Sequence, residues 1–319
     1  MRRHDTPKDV ARALARHAPR AFSTILDPSV GTGALLRPLV GNIVSQSARV
    51  TCIDSDAAAL SEARLTLRGL QNRTVSYVHS DFVAWSVATR KRFDCIVMNP
   101  PFAGRRETLW PITTLEEGQV RTRYSTIEAA FVYRAINLLT EYGRLLTVLP
   151  CSVVMAESAQ WIRDYVFRNG AVRFVHELPP RTFSGVESRM YLCVFEKTAR
   201  QRRVILLNHD LDDPERISVC LTRGRTSSRL DFGYHRSRQQ LERAKRDDRL
   251  HWQPLKELVN IVRGDVESPS GPKSVVHTTD FRDGFWWKHK RHDKGVFNDP
   301  EKRIQVGDLL LKRVGRSCY

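Results

Sequence analysis

The sequence predicts an α/β fold: a mostly parallel, seven-stranded sheet wrapped by helices over residues 1–200, followed by a smaller β-rich unit. Three observations carry this. Short apolar runs alternate with helical stretches through the first half. The first run ends in a tight glycine turn, Gly31-Thr32-Gly33, that opens a helix. After residue 197 the texture changes, first to an arginine-rich stretch and then to β-like segments.

The N-terminus, "MRRHDTPKDVARALARHAPR", reads as a capped amphipathic helix and lacks the apolar core of a secretory signal. Strands are expected at 23–26, 49–53, 75–78, 95–98, 144–148, 172–177 and 190–196. Helices are expected at 33–40, 57–69, 127–142 and 158–168. Residues 103–126 read as one long loop, and long connections of that kind are usually lids or binding loops. Residues 201–250 read as a basic connecting segment with one helix around 238–246, and 251–319 as the β-rich unit.

Composition limits the partners. The 319 residues are 41% hydrophobic and 27% charged, ordinary for a globular protein. No apolar run approaches the roughly 18 residues that span a bilayer, so no membrane partner is expected. The net charge is +17, split +9 over residues 1–200 and +8 over 201–319. An excess spread along the chain points to a polyanion, because neutralising phosphates releases counterions. Cys52, Cys95, Cys151, Cys193, Cys220 and Cys318 show no C-x-x-C pairing, so no metal site is expected. Thiols inside strand-like runs fit a reducing cytoplasm.

The chemistry collects at successive strand ends. In "TILDPSVGTGALL" an apolar strand ends at Asp27-Pro28, and Gly31 and Gly33 let a ligand approach the backbone closely. The spacing is not G-x-G-x-x-G, and no Walker lysine follows. Asp54 closes the next strand, 21 residues after Gly33, where a carboxylate can grip ribose hydroxyls. Asp81 and Phe82 follow the third strand and suit an adenine amino group and ring face. The fourth strand, "FDCIVM", runs into Asn99-Pro100-Pro101-Phe102, one amide on a stiff diproline pedestal.

In this order the motifs resemble the class I S-adenosylmethionine-dependent methyltransferases, and within them the gamma-type N6-adenine DNA enzymes of restriction-modification systems. The resemblance implies a Rossmann-like, seven-stranded sheet whose last strand is antiparallel, with S-adenosylmethionine as cofactor. "TPKDVA" is similar to that family's N-terminal cofactor motif, which places Thr6 and Pro7 beside Asp27, Pro28, Gly31, Gly33, Asp54, Asp81 and Phe82. "NPPF" corresponds to the catalytic tetrapeptide, Asn99, Pro100, Pro101 and Phe102. "RTFSGVESRMYLCVFEK" resembles the later motif whose phenylalanine, here Phe183, stacks on the extruded base.

That assignment implies a definite chemistry. An exocyclic amine is a poor nucleophile because its lone pair is delocalised into the ring. Hydrogen bonds accepted from both N–H groups, by the Asn99 side-chain oxygen and the Pro100 carbonyl, would localise the pair for in-line displacement. Orientation and preorganised electrostatics would supply most of the rate, without a metal or an enzyme nucleophile. The target must be flipped from the duplex and held, with Phe102 and Phe183 as the two faces.

The last third resembles the opening of target-recognition domains of type I specificity subunits, in "PLKELVNIVRGDVESP", "VVHTTDF" and "IQVGDLLLKRVGR". Phe285, Trp286, Trp287, Lys288, Lys312 and Arg313 there, and Arg105 and Arg106 after NPPF, suit stacking and phosphate contact. Such a domain normally runs past its "GDLLLKRVGR" hairpin, so this unit reads as incomplete, with duplex DNA and a specificity or restriction subunit as expected partners. Two alternatives stay open. NPPF/Y also occurs in RNA base and release-factor glutamine methyltransferases, and a nucleic-acid-binding protein could stand on an inactive methyltransferase scaffold.

Overall fold

The structure is a computed structural model that describes residues 5–19, 21–41, 48–69, 74–102, 109–116, 119–186, 188–198, 203–210, 213–220, 229–247, 249, 252–259, 281–282 and 285–286. The chain divides into two compact units, Met1–Ala244 and Lys245–Tyr319.

In the first unit the strands are β1 (Thr24–Asp27), β2 (Arg49–Asp54), β3 (Thr74–His79), β4 (Phe93–Met98), β5 (Trp110–Glu116), β6 (Gln119–Ser125), β7 (Leu139–Pro150), β8 (Ala171–Glu177), β9 (Met190–Glu196), β10 (Val204–Leu207) and β11 (Arg216–Val219). The helices are α1 (Lys8–Ala15), α2 (Leu36–Gly41), α3 (Ala57–Thr66), α4 (Phe82–Ala88), α5 (Ile127–Leu138), α6 (Cys151–Val154), α7 (Gln160–Asn169) and α8 (Phe232–Ala244). Nine strands form one sheet in the order β11-β10-β8-β9-β7-β4-β1-β2-β3. Its central run, β7-β4-β1-β2-β3, is wholly parallel. β9 enters antiparallel between β7 and β8.

Two cores, one on each face, follow from period-2 alternation along the strands. In β4, Cys95 and Val97 face the layer of Val10, Leu14, Leu36 and Leu60, while Ile96 and Met98 face that of Phe82, Phe131 and Ile162. Helices α1, α2 and α3 thus cover one face, and α4, α5 and α7 the other. The parallel run brings the carboxyl ends of β1, β2, β3 and β4 to one edge. Chain order reverses between β4 and β1, which opens a crevice at that edge.

The seven predicted strands are all present, and the sheet then continues. β10 pairs parallel with β8, and β11 pairs antiparallel with β10, so the sheet runs past the boundary expected at residue 200. α8 follows in the stretch read as a connector and buries Phe232 and His235. The expected loop at 103–126 holds the β5–β6 hairpin, paired from Trp110↔Ser125 to Glu116↔Gln119. Ile112 and Thr114 are buried while Pro111 and Thr113 are exposed, a strand alternation across a Thr- and Ile-rich run. The helix expected to reach Tyr142 stops at Leu138, where Leu139 turns extended and pairs with Phe93. α4, not expected, forms because Asp81 caps it.

In the second unit the described residues show one helical turn, α9 (Leu255–Leu258), and a short antiparallel pair, β12 (Phe281–Arg282) with β13 (Phe285–Trp286). Among the described residues no helix is long and apolar enough to cross a membrane.

Candidate active site

The glycine turn is held by three fixed bonds. The Val30 N–H donates to the Ile53 carbonyl at 3.0 Å, the Gly33 N–H to the Val30 carbonyl at 2.7 Å, and the Gly31 N–H to Asp54 Oδ2 at 2.9 Å. Gly31 and Gly33 have φ of 52° and 81°, the left-handed region that favours glycine. Beneath the turn, a Cβ on Gly33 would press on Leu67 at 3.3 Å. Asp54 also accepts from the Asp56 N–H at 3.0 Å, so its carboxylate is fixed at the edge, half-buried, with lone pairs to spare.

Asp27 lies deeper. It is 0% exposed; Oδ1 accepts from the Ser29 N–H at 3.1 Å, and among the described residues Oδ2 has no partner. Burial pushes its carboxyl up to about 8, helped by the neighbouring Asp54 charge and opposed by the Ser29 bond. Pro28 beside it is buried.

Asn99 sits directly beyond β4, with Pro100 buried and Pro101 and Phe102 half-buried behind it. Its Nδ2 donates to Thr6 Oγ1 at 3.0 Å, and its backbone carbonyl accepts from Ser29 Oγ at 3.0 Å. Its Oδ1 is shielded from solvent. The segment between β1 and the glycine turn, the N-terminal segment and the tetrapeptide therefore meet at one residue. Pro7 caps α1 with φ of −57° and ψ of 148°, carrying Thr6 into the site. Phe183, on the connection between β8 and β9, meets Phe102 edge-on, with ring centroids 6.1 Å apart and planes at 83°.

Three expectations need correction or refinement. Phe82 is 2% exposed and packs against Phe131 at 4.8 Å, because it starts α4 and its first-turn side chain points into the core. It does not line the crevice. Asp81 spends Oδ1 on the Ala84 N–H at 2.8 Å, as the cap of α4. Phe183 stands beside Phe102 as expected, yet it is 3% exposed and edge-on, so the two rings do not frame a slot for a base. Arg105, Arg106, Trp287, Lys288, Lys312 and Arg313 lie outside the described residues, and for Trp286 only the backbone of β13 is described. Ser29 was not singled out; its sole signal was its place inside "DPSVGTG".

Fold and site together define a class I methyltransferase fold. Two solved structures of low identity share it: one described as a class I S-adenosylmethionine-dependent methyltransferase of Listeria monocytogenes (TM-score 0.52, 18% identity, covering 65% of this chain and 67% of that one), and the methyltransferase subunit of a type I restriction-modification system from Streptococcus thermophilus (TM-score 0.52, 19% identity, 77% and 54%). The chain belongs to the N-6 DNA methylase family, whose model matches residues 3–219.

Curated relatives include modification methylase CviBIII of Paramecium bursaria Chlorella virus NC1A, 26% identical over 50% of this chain and 41% of its own length. The tRNA1(Val) (adenine(37)-N6)-methyltransferase of Musicola paradisiaca (strain Ech703) is 30% identical over 44% and 58%. The release factor glutamine methyltransferase of Buchnera aphidicola subsp. Acyrthosiphon pisum (strain APS) is 31% identical over 33% and 36%. The chain thus spans between about a third and three fifths of these relatives' lengths.

Proposed function

We propose that this chain methylates the N6 amino group of an adenine flipped out of duplex DNA, using S-adenosylmethionine. The observation that carries the reading is Asn99 at the carboxyl end of β4, its amide nitrogen tied to Thr6 and its carbonyl to the cofactor turn through Ser29. The family match and the likeness to modification methylase CviBIII support DNA as the substrate. So does the charge of +17, which suits a polyanion.

The residues at the sheet edge fit the cofactor. Asp27 Oδ2, buried and without a partner among the described residues, suits the cofactor's ammonium group, whose charge would favour the ionised carboxylate that burial alone disfavours. The Asp54 carboxylate suits the ribose hydroxyls. Asp81 keeps one carboxylate oxygen beyond its cap bond for the adenine amine. When bound, S-adenosylmethionine supplies an electrophilic methyl group on sulfur. The chain's own part is to hold the amine. Asn99 Oδ1 accepts from one N–H and the Pro100 carbonyl from the other, which draws the lone pair out of conjugation. Shielding from water strengthens both bonds. Because the oxygen is shielded and Phe183 lies against Phe102, the incoming base must part these rings before it can stack.

By likeness of fold to type I modification subunits, a specificity or restriction subunit is a proposed partner, and residues 251–319 a proposed recognition module. Phe285, Trp286, Trp287, Lys288, Lys312 and Arg313 are its proposed DNA contacts, and Arg105 and Arg106 are proposed as contacts of the first unit. Incubation with labelled S-adenosylmethionine and, in turn, unmethylated duplex DNA, tRNA and a release factor tests the substrate. Label is expected in DNA; label confined to tRNA or the release factor would replace DNA with that substrate.

A further inference from the structure

Two hydroxyls from separate N-terminal segments grip Asn99, one at its side chain and one at its backbone. Thr6 Oγ1 accepts from Asn99 Nδ2 at 3.0 Å across 93 residues, and Ser29 Oγ donates to the Asn99 carbonyl at 3.0 Å across 70. Neither hydroxyl comes from a loose segment. Thr6 is only 9% exposed and stands directly before Pro7, the cap of α1, a helix rooted in the core by Val10 and Leu14, both at 0% exposure. Ser29 lies two residues beyond the buried Asp27, whose Oδ1 holds the Ser29 N–H. A side-chain amide is planar, with its nitrogen and oxygen on opposite sides of the terminal carbon. A bond that fixes the nitrogen therefore fixes the oxygen as well.

We propose that Thr6 and Ser29 are positioning residues for Asn99, setting the rotation of its amide so that Oδ1 is presented to the target amine. This rests on the methyl-transfer reading of the site. Thr6 does so by accepting from Nδ2, and while that bond stands it excludes the flipped arrangement, with Oδ1 toward the Thr6 hydroxyl and Nδ2 toward the substrate. That arrangement would set a donor against the N–H groups of the amine and abolish the lone-pair effect. Ser29 fixes the peptide carbonyl immediately before Pro100, and with it the plane from which the Pro100 carbonyl projects. The N-terminal segment, placed by resemblance at the cofactor, thereby bears directly on the residue that grips the substrate.

The test uses the full chain labelled with 15N-asparagine, the Asn99 side-chain NH2 pair being identified by its loss in Asn99→Ala. In wild type this pair is expected to exchange slowly with water. Thr6→Val, which keeps the shape and removes the acceptor, should shift the pair and speed its exchange about tenfold, and Thr6→Ser should restore it. Methyl transfer to DNA should show the same pattern. In Thr6→Val, kcat at saturating S-adenosylmethionine should fall about tenfold to a hundredfold, the scale of a misplaced catalytic group, with cofactor affinity read separately in a binding titration. Ser29→Ala should lower kcat in the same direction while leaving the Thr6-dependent NH2 signal in place. An NH2 pair indifferent to Thr6→Val, or a loss confined to cofactor affinity, would overturn the proposal. Failure of the wild type to methylate DNA counts against the substrate reading alone, because the NH2 signal reports the clamp with no substrate present.

Discussion

At the scale of the residue, the site joins fixed acceptors to a buried acid. Asn99→Ala removes the acceptor that draws out the amine lone pair, and removal of one preorganised polar contact costs about 10²–10³ in rate. Its kcat should fall by at least that, with S-adenosylmethionine affinity retained in a binding titration. Asp27 gives a pH prediction. Its carboxyl, raised from 3.8 to about 8 by burial, binds a proton in the folded state that the unfolded chain has already released. This contribution is full below about pH 4, falls as pH rises towards 8, and is flat beyond. Asp27→Asn should flatten that window, measured as urea unfolding midpoints at pH 5, 6.5 and 8; an unchanged slope would show that the acid is not where the fold puts it. Much here was legible in the sequence. Asn99, Gly31, Gly33 and Asp54 announce themselves because each sits in a short motif at a strand end. The Thr6–Asn99 bond was not legible, since its partners are 93 residues apart and only the fold brings them together. Phe82 misled because it follows a strand end, while the cap at Asp81 starts a helix that turns its ring inward.

Among the elements, the central parallel strands were readable because each is a short apolar run bounded by turn residues. The β5–β6 hairpin was hidden by Pro111 and by its polar outer face. A proline is tolerated there because a two-stranded ribbon consists wholly of edges. β10 and β11 were hidden for another reason: each is four residues long and flanked by arginine-rich chain, too short a run to stand out as a strand. The antiparallel β9 is the last of the seven expected strands, and Gly170 shows how tightly it is packed. A Cβ at that position would meet the Glu196 carbonyl, and the Phe195 ring at 2.6 Å, with backbone on one side unable to give way. Gly170→Ala should therefore destabilise the fold by about 3 kcal/mol, read as a lowered urea midpoint. A change under about 0.5 kcal/mol would mean that the β8–β9 pairing is looser than described.

For the whole molecule, charge was the most legible property and the mostly parallel sheet the next. The +17 balance is distributed along the chain, so DNA binding should weaken steeply with salt. At about −0.9 per phosphate contact, a logarithmic slope steeper than about −3 is expected in a fluorescence titration. A flat salt dependence would remove the electrostatic support for a nucleic-acid substrate. The second unit was legible only as basic and β-like; its described strands are two residues each, and its proposed DNA contacts stand on resemblance. The central claim is methyl transfer to adenine N6 through Asn99. Its most direct measurement is nucleoside analysis of duplex DNA after incubation with methyl-labelled S-adenosylmethionine and either wild-type chain or Asn99→Ala. The account predicts label in N6-methyladenine with wild type and none with the variant; label in another base, or equal label with both proteins, would contradict it.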